Sequence, residues 1–249
     1  MLGRLRLLIG VDDTDNAESR GTGFRARELG RLIAERDLGL CRGISRHQLL
    51  FDPRIPYTSH NSALCLDVDA HDDRTTELRA CCRDYLLTNS APGSDAGLCI
   101  VGWNDTDDGV EAFGWRAKET IVTQAIAQDI ARDRNIVLEG LTGDHGGVIG
   151  ALAAVGLRKS ERDGRFVWRE GVRELSGVVT VQHLLATTGI DEVRNLEGSP
   201  VSIDQAINVE PWPRPVLIDG RAVLLVEQME RTDECYGWRL APKHIVKQY

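Results

Sequence analysis

The sequence has few aromatic residues, no CxxC cysteine pair and no long apolar run. No segment approaches the roughly 20 consecutive apolar residues that a membrane-spanning helix needs. The start, Met1 to Val11, is too short and too soon followed by carboxylates to be a signal peptide. We therefore expect a soluble, cytoplasmic protein with no membrane partner.

The cysteine pattern excludes the common metal and redox motifs. Without a CxxC pair, zinc ribbons and thioredoxin-like sites are disfavoured, and several cysteines lie within apolar stretches. We interpret them as reduced core residues. The six are Cys41, Cys65, Cys81, Cys82, Cys99 and Cys235.

Acidic residues outnumber basic residues in the sequence. The formal net charge is −8 and the sequence pI is about 5.3. A protein that grips a nucleic-acid backbone by itself needs a clustered basic surface, so the composition argues against this, while leaving room for a local basic groove. An acidic composition is compatible with metal-dependent phosphate chemistry.

The alternation of apolar runs and amphipathic segments predicts a mixed α/β fold. Arg4 to Val11 is typical of a strand, the loop from Asp12 to Gly23 follows, and Phe24 to Arg36 is typical of a helix. This order places the loop where α/β proteins tend to bind ligands. Further strands are predicted at 40–51, 61–68 and 97–103, and further helices at 72–87, 111–134 and within 148–157.

The sequence pattern changes after Lys159 and predicts mainly short strands and turns. Residues 216–226 predict a hairpin that turns at Asp219-Gly220, and 237–246 predict a last strand. We therefore expect two domains, an α/β domain at 1–160 and a smaller strand-rich domain at 161–249.

Three carboxylates crowd the first loop, at Asp12, Asp13 and Asp15. Like charges so close repel unless a cation neutralises them, and magnesium binds carboxylate and phosphate oxygens. The loop therefore predicts a magnesium–nucleotide site, with Thr14 beside the nucleotide and Asp12 and Asp13 close to the chemistry. The alternative is a solvated turn without metal.

Two glycine-containing segments could supply the rest of such a site. Gly21-Thr22-Gly23, flanked by Arg20 and Arg25, could meet phosphate oxygens at a helix start, although no Walker A pattern is present.

In Gly143-Asp144-His145-Gly146-Gly147, Asp144 could complete the metal site and His145 could act as a base. In that segment Gly143 and Gly146 would approach the cofactor. Either segment could instead be only a turn.

A proline-containing loop offers side chains that can recognise a base or a sugar. Its candidate substrate residues form the run Tyr57, Thr58, Ser59, His60 and Asn61. The same loop could equally be a stiff connector.

Three motifs in this order resemble the archaeal tRNA agmatinylcytidine synthetases. They are Gly10 to Asp15, the Ile-Pro-aromatic loop from Ile55 to Ala63, and the run from Gly143 to Ala154. The family uses ATP to join agmatine to a wobble cytidine of an isoleucine tRNA. The resemblance implies a kinase-like domain beside a ferredoxin-like domain, with ATP and Mg²⁺ as cofactors bound at the acidic loop.

The sequence departs from the family pattern in two places. Family members carry an OB-fold and a zinc ribbon that grip tRNA, but we expect no zinc ribbon here because there is no CxxC pair. The family also has a phosphorylated threonine at the helix start, where this chain reads Gly23-Phe24-Arg25, with Thr22 nearby. A tRNA acceptor would therefore call for a partner protein, and a homodimer stays open.

These observations favour an ATP–Mg²⁺-dependent phosphoryl- or nucleotidyl-transfer enzyme. Its acceptor would be a nucleoside, an RNA or a small amine-bearing metabolite. Two alternatives remain, a non-catalytic nucleotide- or metabolite-binding module and a metal-dependent phosphohydrolase that uses Asp13 and His145.

Overall fold

The computed structural model describes residues 3–55, 61–229 and 237–249. The contacts divide the chain into two units, Met1–Ser160 and Glu161–Tyr249. Both contain strands and helices, which confirms the predicted mixed α/β fold class. No helix within the described ranges is long and apolar enough to cross a membrane.

The first unit is built on an antiparallel sheet with strand β1 near its centre. Strand β1 (Arg4–Asp12) pairs with β3 (Ser62–His71) on one side and with β4 (Gly97–Gly102) on the other. Strand β2 (Gly39–Gln48) lies beside β3, and β5 (Val137–Gly140) lies beside β4 at an edge.

Helices cover both faces of this sheet. Helices α1 (Thr22–Glu35) and α2 (Thr75–Asn89) contact one face. Helix α5 (Val148–Lys159) contacts β1, β3 and β4 on the other face, and α3 (Asp108–Glu119) and α4 (Gln124–Asp133) pack on it. Almost all of α5 is buried, as expected for a helix that is apolar on every side.

The predicted single helix at 111–134 is wrong, because α3 and α4 are separated by 120–123. Thr120 is extended, with φ −138° and ψ 158°. The Thr123 hydroxyl accepts a hydrogen bond from the Ile126 N–H and so begins a new helix. Threonine side chains that compete for backbone groups favour such an end and restart. Strand β5 was not predicted either.

The second unit is mainly strands. Its sheet order is β6-β10-β11-β12-β9-β7, and β8 pairs in parallel with β11. The predicted hairpin at 216–226 is confirmed, with positive φ angles at Asp219 and Gly220. The elements are β6 Arg165–Trp168, β7 Val178–Thr180, α6 Val181–Thr187, β8 Glu192–Asn195, β9 Ala206–Asn208, β10 Val216–Ile218, β11 Arg221–Gln228, β12 Trp238–Leu240 and α7 Lys243–Val246.

The strand predicted at 237–246 is only partly correct. Strand β12 ends at Leu240, and Pro242 precedes the short helix α7. Proline lacks a ladder donor and suits a helix start, which explains the change of structure here. Five of the cysteines are buried and free, as predicted, and Cys235 lies outside the described residues.

Candidate functional site

The acidic loop begins where the central strand ends. Leu8, Ile9 and Val11 are fully buried in β1, and the strand carries the chain directly to Asp12. Asp13 then adopts a positive φ of 50°, which turns the backbone out of the sheet. The loop is therefore held at its base by a deeply buried strand.

Asp12 points toward helix α5. The third residue of α5 is Gly150, and a Cβ atom there would lie 1.9 Å from Asp12 Oδ2. Burial, the neighbouring Asp13 carboxylate and the Asp15 carboxylate together raise the pKa of Asp12 to about 8. The Asp13 backbone N–H partly offsets these effects through a hydrogen bond to Asp12.

Asp13 faces an acid that the sequence did not single out. Burial, the charge of Asp95 and the charge of Asp15 raise the pKa of Asp13 to about 6, although the Asp95 backbone N–H donates a hydrogen bond to it. Asp95 precedes β4, which runs antiparallel to β1, so its position follows from the sheet order. Asp95 was not predicted as a site residue from the sequence.

The glycine-rich turn at 143–147 contacts Asp95 through its backbone. The Asp144 N–H donates to Asp95 Oδ1 at 2.7 Å, and the Gly147 N–H donates to the Asp95 carbonyl at 2.9 Å. A Cβ atom at Gly147 would lie 3.0 Å from the Asp12 carbonyl oxygen. Gly143 has a φ of 55° and leaves no room for a side chain beside Asp95. These glycines allow the close approach.

Asp144 and His145 are exposed at the tip of this turn. The Asp144 carbonyl accepts a hydrogen bond from Gln124 Nε2 at 3.0 Å. His145 adopts a positive φ of 64°, and its side chain fills the space in front of Gly140. The backbone of this turn thus belongs to the site, and both predicted side chains are open to solvent.

Thr22 connects the start of α1 to the acidic loop. Its buried hydroxyl donates to Asp15 Oδ1 at 2.5 Å and accepts from the Thr14 hydroxyl at 3.1 Å. Thr14 is itself fully buried, and its carbonyl accepts from the Ala91 N–H at 2.9 Å. Thr14 therefore has a structural role at the base of the loop.

The two arginines predicted to meet phosphates have other contacts. Arg25 Nη1 lies 3.3 Å from Glu28 Oε2, which also accepts from the Tyr85 hydroxyl. Arg20 stacks over the Phe24 ring, 4.2 Å from its centroid. The guanidinium of Arg25 is thus oriented toward Glu28.

A third arginine, Arg46 on β2, also lies near the loop and was not predicted from the sequence. Its Nη2 atom lies 3.1 Å from the position of a Cβ atom on Gly23, in the first turn of α1. Burial lowers the pKa of Arg46, and the Asp15 charge opposes that shift. Arg46 is remote from the loop in the sequence, so only the sheet brings it close.

The predicted substrate loop is only partly described. Tyr57, Thr58, Ser59 and His60 lie outside the described residues. Asn61 donates from Nδ2 to the Leu50 carbonyl at 2.7 Å, and its own carbonyl accepts from the Leu49 N–H. Asn61 therefore closes the base of this loop.

A divalent cation suits the chemistry of Asp12 and Asp13, because crowded carboxylates with raised pKa values are relieved by positive charge. Within the described parts of the chain, no three histidine, cysteine, aspartate or glutamate side chains form a ready set of metal ligands. Phosphate oxygens and water would have to complete the shell of an octahedral ion.

Comparison with known proteins found one curated relative and several solved structures that are similar to this chain. No family model matches the sequence. An uncharacterised protein of Methanocaldococcus jannaschii, MJ0921, is 28% identical over 153 residues, which cover 61% of this chain and 50% of that protein.

The solved structure of TiaS in complex with a tRNA and ATP is similar at a TM-score of 0.54 and 25% identity, covering 61% of this chain and 36% of TiaS. Apo TiaS, a tRNA agmatidine synthetase, is similar at a TM-score of 0.53 and 25% identity, and the match covers 61% of this chain and 35% of TiaS. A tRNA fluorescent labelling enzyme is similar at a TM-score of 0.52 and 26% identity, and the match covers 61% of this chain and 36% of that enzyme. This chain spans about half of the curated relative and about a third of these enzymes, and it shares with them a TiaS-like α/β fold.

Proposed function

We propose that this protein is an ATP–Mg²⁺-dependent phosphoryl- or nucleotidyl-transfer enzyme that acts on a nucleoside, an RNA or a small amine-bearing metabolite. The observation that carries the proposal is the meeting of three chain segments around the acidic loop. Asp15 accepts from Thr22, Asp13 lies beside Asp95, and Asp95 accepts from the Asp144 N–H. Remote segments joined in this way form a bounded site at the end of β1.

In the proposed site, Asp12 and Asp13 hold the magnesium ion, and Asp15 and Asp144 lie at its margin. The first turn of α1, from Gly21 to Gly23, offers backbone N–H groups to phosphate oxygens. Phosphoryl transfer depends chiefly on positioning and charge neutralisation. A metal held between carboxylates and phosphates at this place would supply both.

The similar structures guide the proposal for the acceptor. TiaS has been solved in complex with a tRNA, an ATP analogue and agmatine. We propose a nucleoside, an RNA or a small amine as the acceptor, bound on the side of Asn61. For a tRNA acceptor, we propose that a partner protein supplies further contacts with the tRNA.

The test is turnover of ATP labelled at the α or the γ phosphate, with and without Mg²⁺ and with a tRNA pool. We expect label transfer that needs Mg²⁺ and is lost in Asp13→Asn. Transfer of the α label indicates nucleotidyl transfer, and transfer of the γ label indicates phosphoryl transfer.

Other outcomes of this assay would replace the proposal. Release of free phosphate without any acceptor would favour the phosphohydrolase that uses Asp13 and His145. Tight ATP binding without turnover would favour a binding module, and equal turnover by wild type and Asp13→Asn would refute the assignment of the acidic loop.

A further inference from the structure

Arg46 occupies an unusual electrostatic position for an arginine. Its guanidinium lies beside the first turn of α1, with Nη2 3.1 Å from the Cβ position of Gly23. A second cation, Nη1 of Arg27, lies 3.7 Å from the same point. Two guanidinium groups therefore converge where Gly23 has no side chain.

The start of α1 adds further positive potential at this point. A helix N-terminus carries a partial positive charge and unsatisfied N–H groups. In α1 the N-cap residue Gly21 offers no side-chain hydrogen bond, and no acidic residue lies in the first turn. The helix start and the two guanidinium groups together make this point favourable for an anion.

One donor at this point has no acceptor among the described residues. Arg46 Nε is buried and makes no hydrogen bond within the described ranges. The charge of Asp15 acts on Arg46, and Asp15 Oδ1 also accepts a hydrogen bond from the Thr22 hydroxyl. A buried donor without an acceptor is costly, and a guanidinium presents a planar set of donors that matches a phosphate.

We propose that Arg46, with Arg27 beside it, binds a phosphate group of the nucleotide at the start of α1. This inference rests on the proposed nucleotide site and names the residue that selects a polyphosphate there. Arg25 contacts Glu28 through Nη1, but its Nε is also buried without a hydrogen bond in the described ranges, so Arg25 stays a predicted second phosphate ligand. Arg46 lies on the α1 side of the acidic loop, so it would neutralise phosphate charge at a different place from the metal.

The experiment compares Arg46→Gln with Arg42→Gln by calorimetric titration of the full chain with ATP, ADP and adenosine in Mg²⁺. Arg42 is a matched control, because it lies on the same strand and loses the same charge, but it pairs with Asp69 at 3.4 Å. Charge-assisted hydrogen bonds are among the strongest polar contacts. We expect Arg46→Gln to weaken ATP binding about 10- to 100-fold and to leave adenosine binding unchanged.

A further variant, Arg46→Lys, separates charge from geometry, and we expect an intermediate loss. Thermal melting of each variant accounts for any change in folding. The inference is overturned if Arg46→Gln is folded and binds ATP as wild type does, while Asp13→Asn has lost binding. If wild type itself binds neither ATP nor ADP, both the inference and the proposed function fail.

Discussion

The Asp12 carboxylate lies in the space that a side chain at Gly150 would need. The Cβ position of Gly150 is 1.9 Å from Asp12 Oδ2 and 3.1 Å from the Cβ of Ala63. Helix α5 therefore sets where this carboxylate can point. We expect Gly150→Ala to displace Asp12 and weaken Mg²⁺–ATP binding by at least roughly tenfold, because small misplacements at a catalytic centre are costly.

The control for that variant is Gly156→Ala on the same helix. Its Cβ would lie 2.1 Å from the Val110 carbonyl oxygen, on the side of α3 and away from the loop. We expect Gly156→Ala to lower the melting temperature without weakening ATP binding by the folded protein. Equal loss of binding in both variants would show that helix displacement alone, not Asp12, is responsible.

Substitutions at Thr22 test the hydrogen bonds that connect α1 to the acidic loop. Thr22→Val keeps the shape but removes the hydroxyl that Asp15 and Thr14 share. Because buried polar groups are left without partners, we expect a loss of about 1–3 kcal/mol in the free energy of unfolding. Thr22→Ser keeps the hydroxyl and should lose clearly less in denaturant titrations. Identical losses would contradict the hydrogen-bond account.

The pH dependence of stability tests the crowding at Asp12. The folded-state pKa of about 8 lies above the ordinary value of 3.8, so the folded protein binds more protons between these values. The free energy of unfolding therefore falls as pH rises through that window. Asp12→Asn does not titrate, so in EDTA its stability relative to wild type should increase between pH 5 and pH 8, by on the order of 3 to 4 kcal/mol.

Melting curves of both proteins at several pH values measure this difference. We expect the variant to become steadily more stable relative to wild type as the pH rises. A constant difference across the whole range would show that the Asp12 side chain is not crowded in the folded protein.

Asp67 provides a contrasting carboxylate away from the site. It is buried, which opposes ionisation, but hydrogen bonds and charge from Arg6, Arg158 and Arg42 outweigh this effect and lower its pKa. Arg158 Nη2 lies 2.7 Å from Asp67 Oδ2. We expect Asp67→Asn to cost about 3–5 kcal/mol near neutral pH, because it leaves a buried cation without its counter-charge.

The sign of the pH effect at Asp67 is opposite to that at Asp12. A lowered pKa stabilises the folded protein above the ordinary carboxyl value, and this contribution is lost as pH falls through the folded-state pKa. The gap in stability between wild type and Asp67→Asn should therefore shrink in acid. Chemical unfolding at pH 7 and near pH 3 measures it, and a gap that widens in acid would contradict the account.

The sequence predicted the local parts of the site well. An apolar run before Asp12 and an amphipathic helix after Gly23 are short-range patterns, and both elements are present. The turn before α5 was likewise visible from its glycines. Such features depend on neighbours along the chain, which a sequence displays directly.

The residues that the sequence missed depend on tertiary structure. Asp95 reaches Asp13 because β4 starts where β1 ends, and Arg46 reaches Gly23 because β2 packs against α1. Neither has a local motif, and both required the order of the strands. The interrupted helix at 120–123 was missed for another reason, since a threonine N-cap inside an apolar periodic pattern is easily overlooked.

The most direct test of the central claim is calorimetric titration of ATP into the wild-type protein with Mg²⁺ and with EDTA, repeated for Asp13→Asn. The account predicts saturable binding by wild type that requires Mg²⁺, and little or no binding by the variant. Binding of equal strength with and without Mg²⁺, or by both proteins alike, would contradict a shared site for metal and nucleotide at the acidic loop.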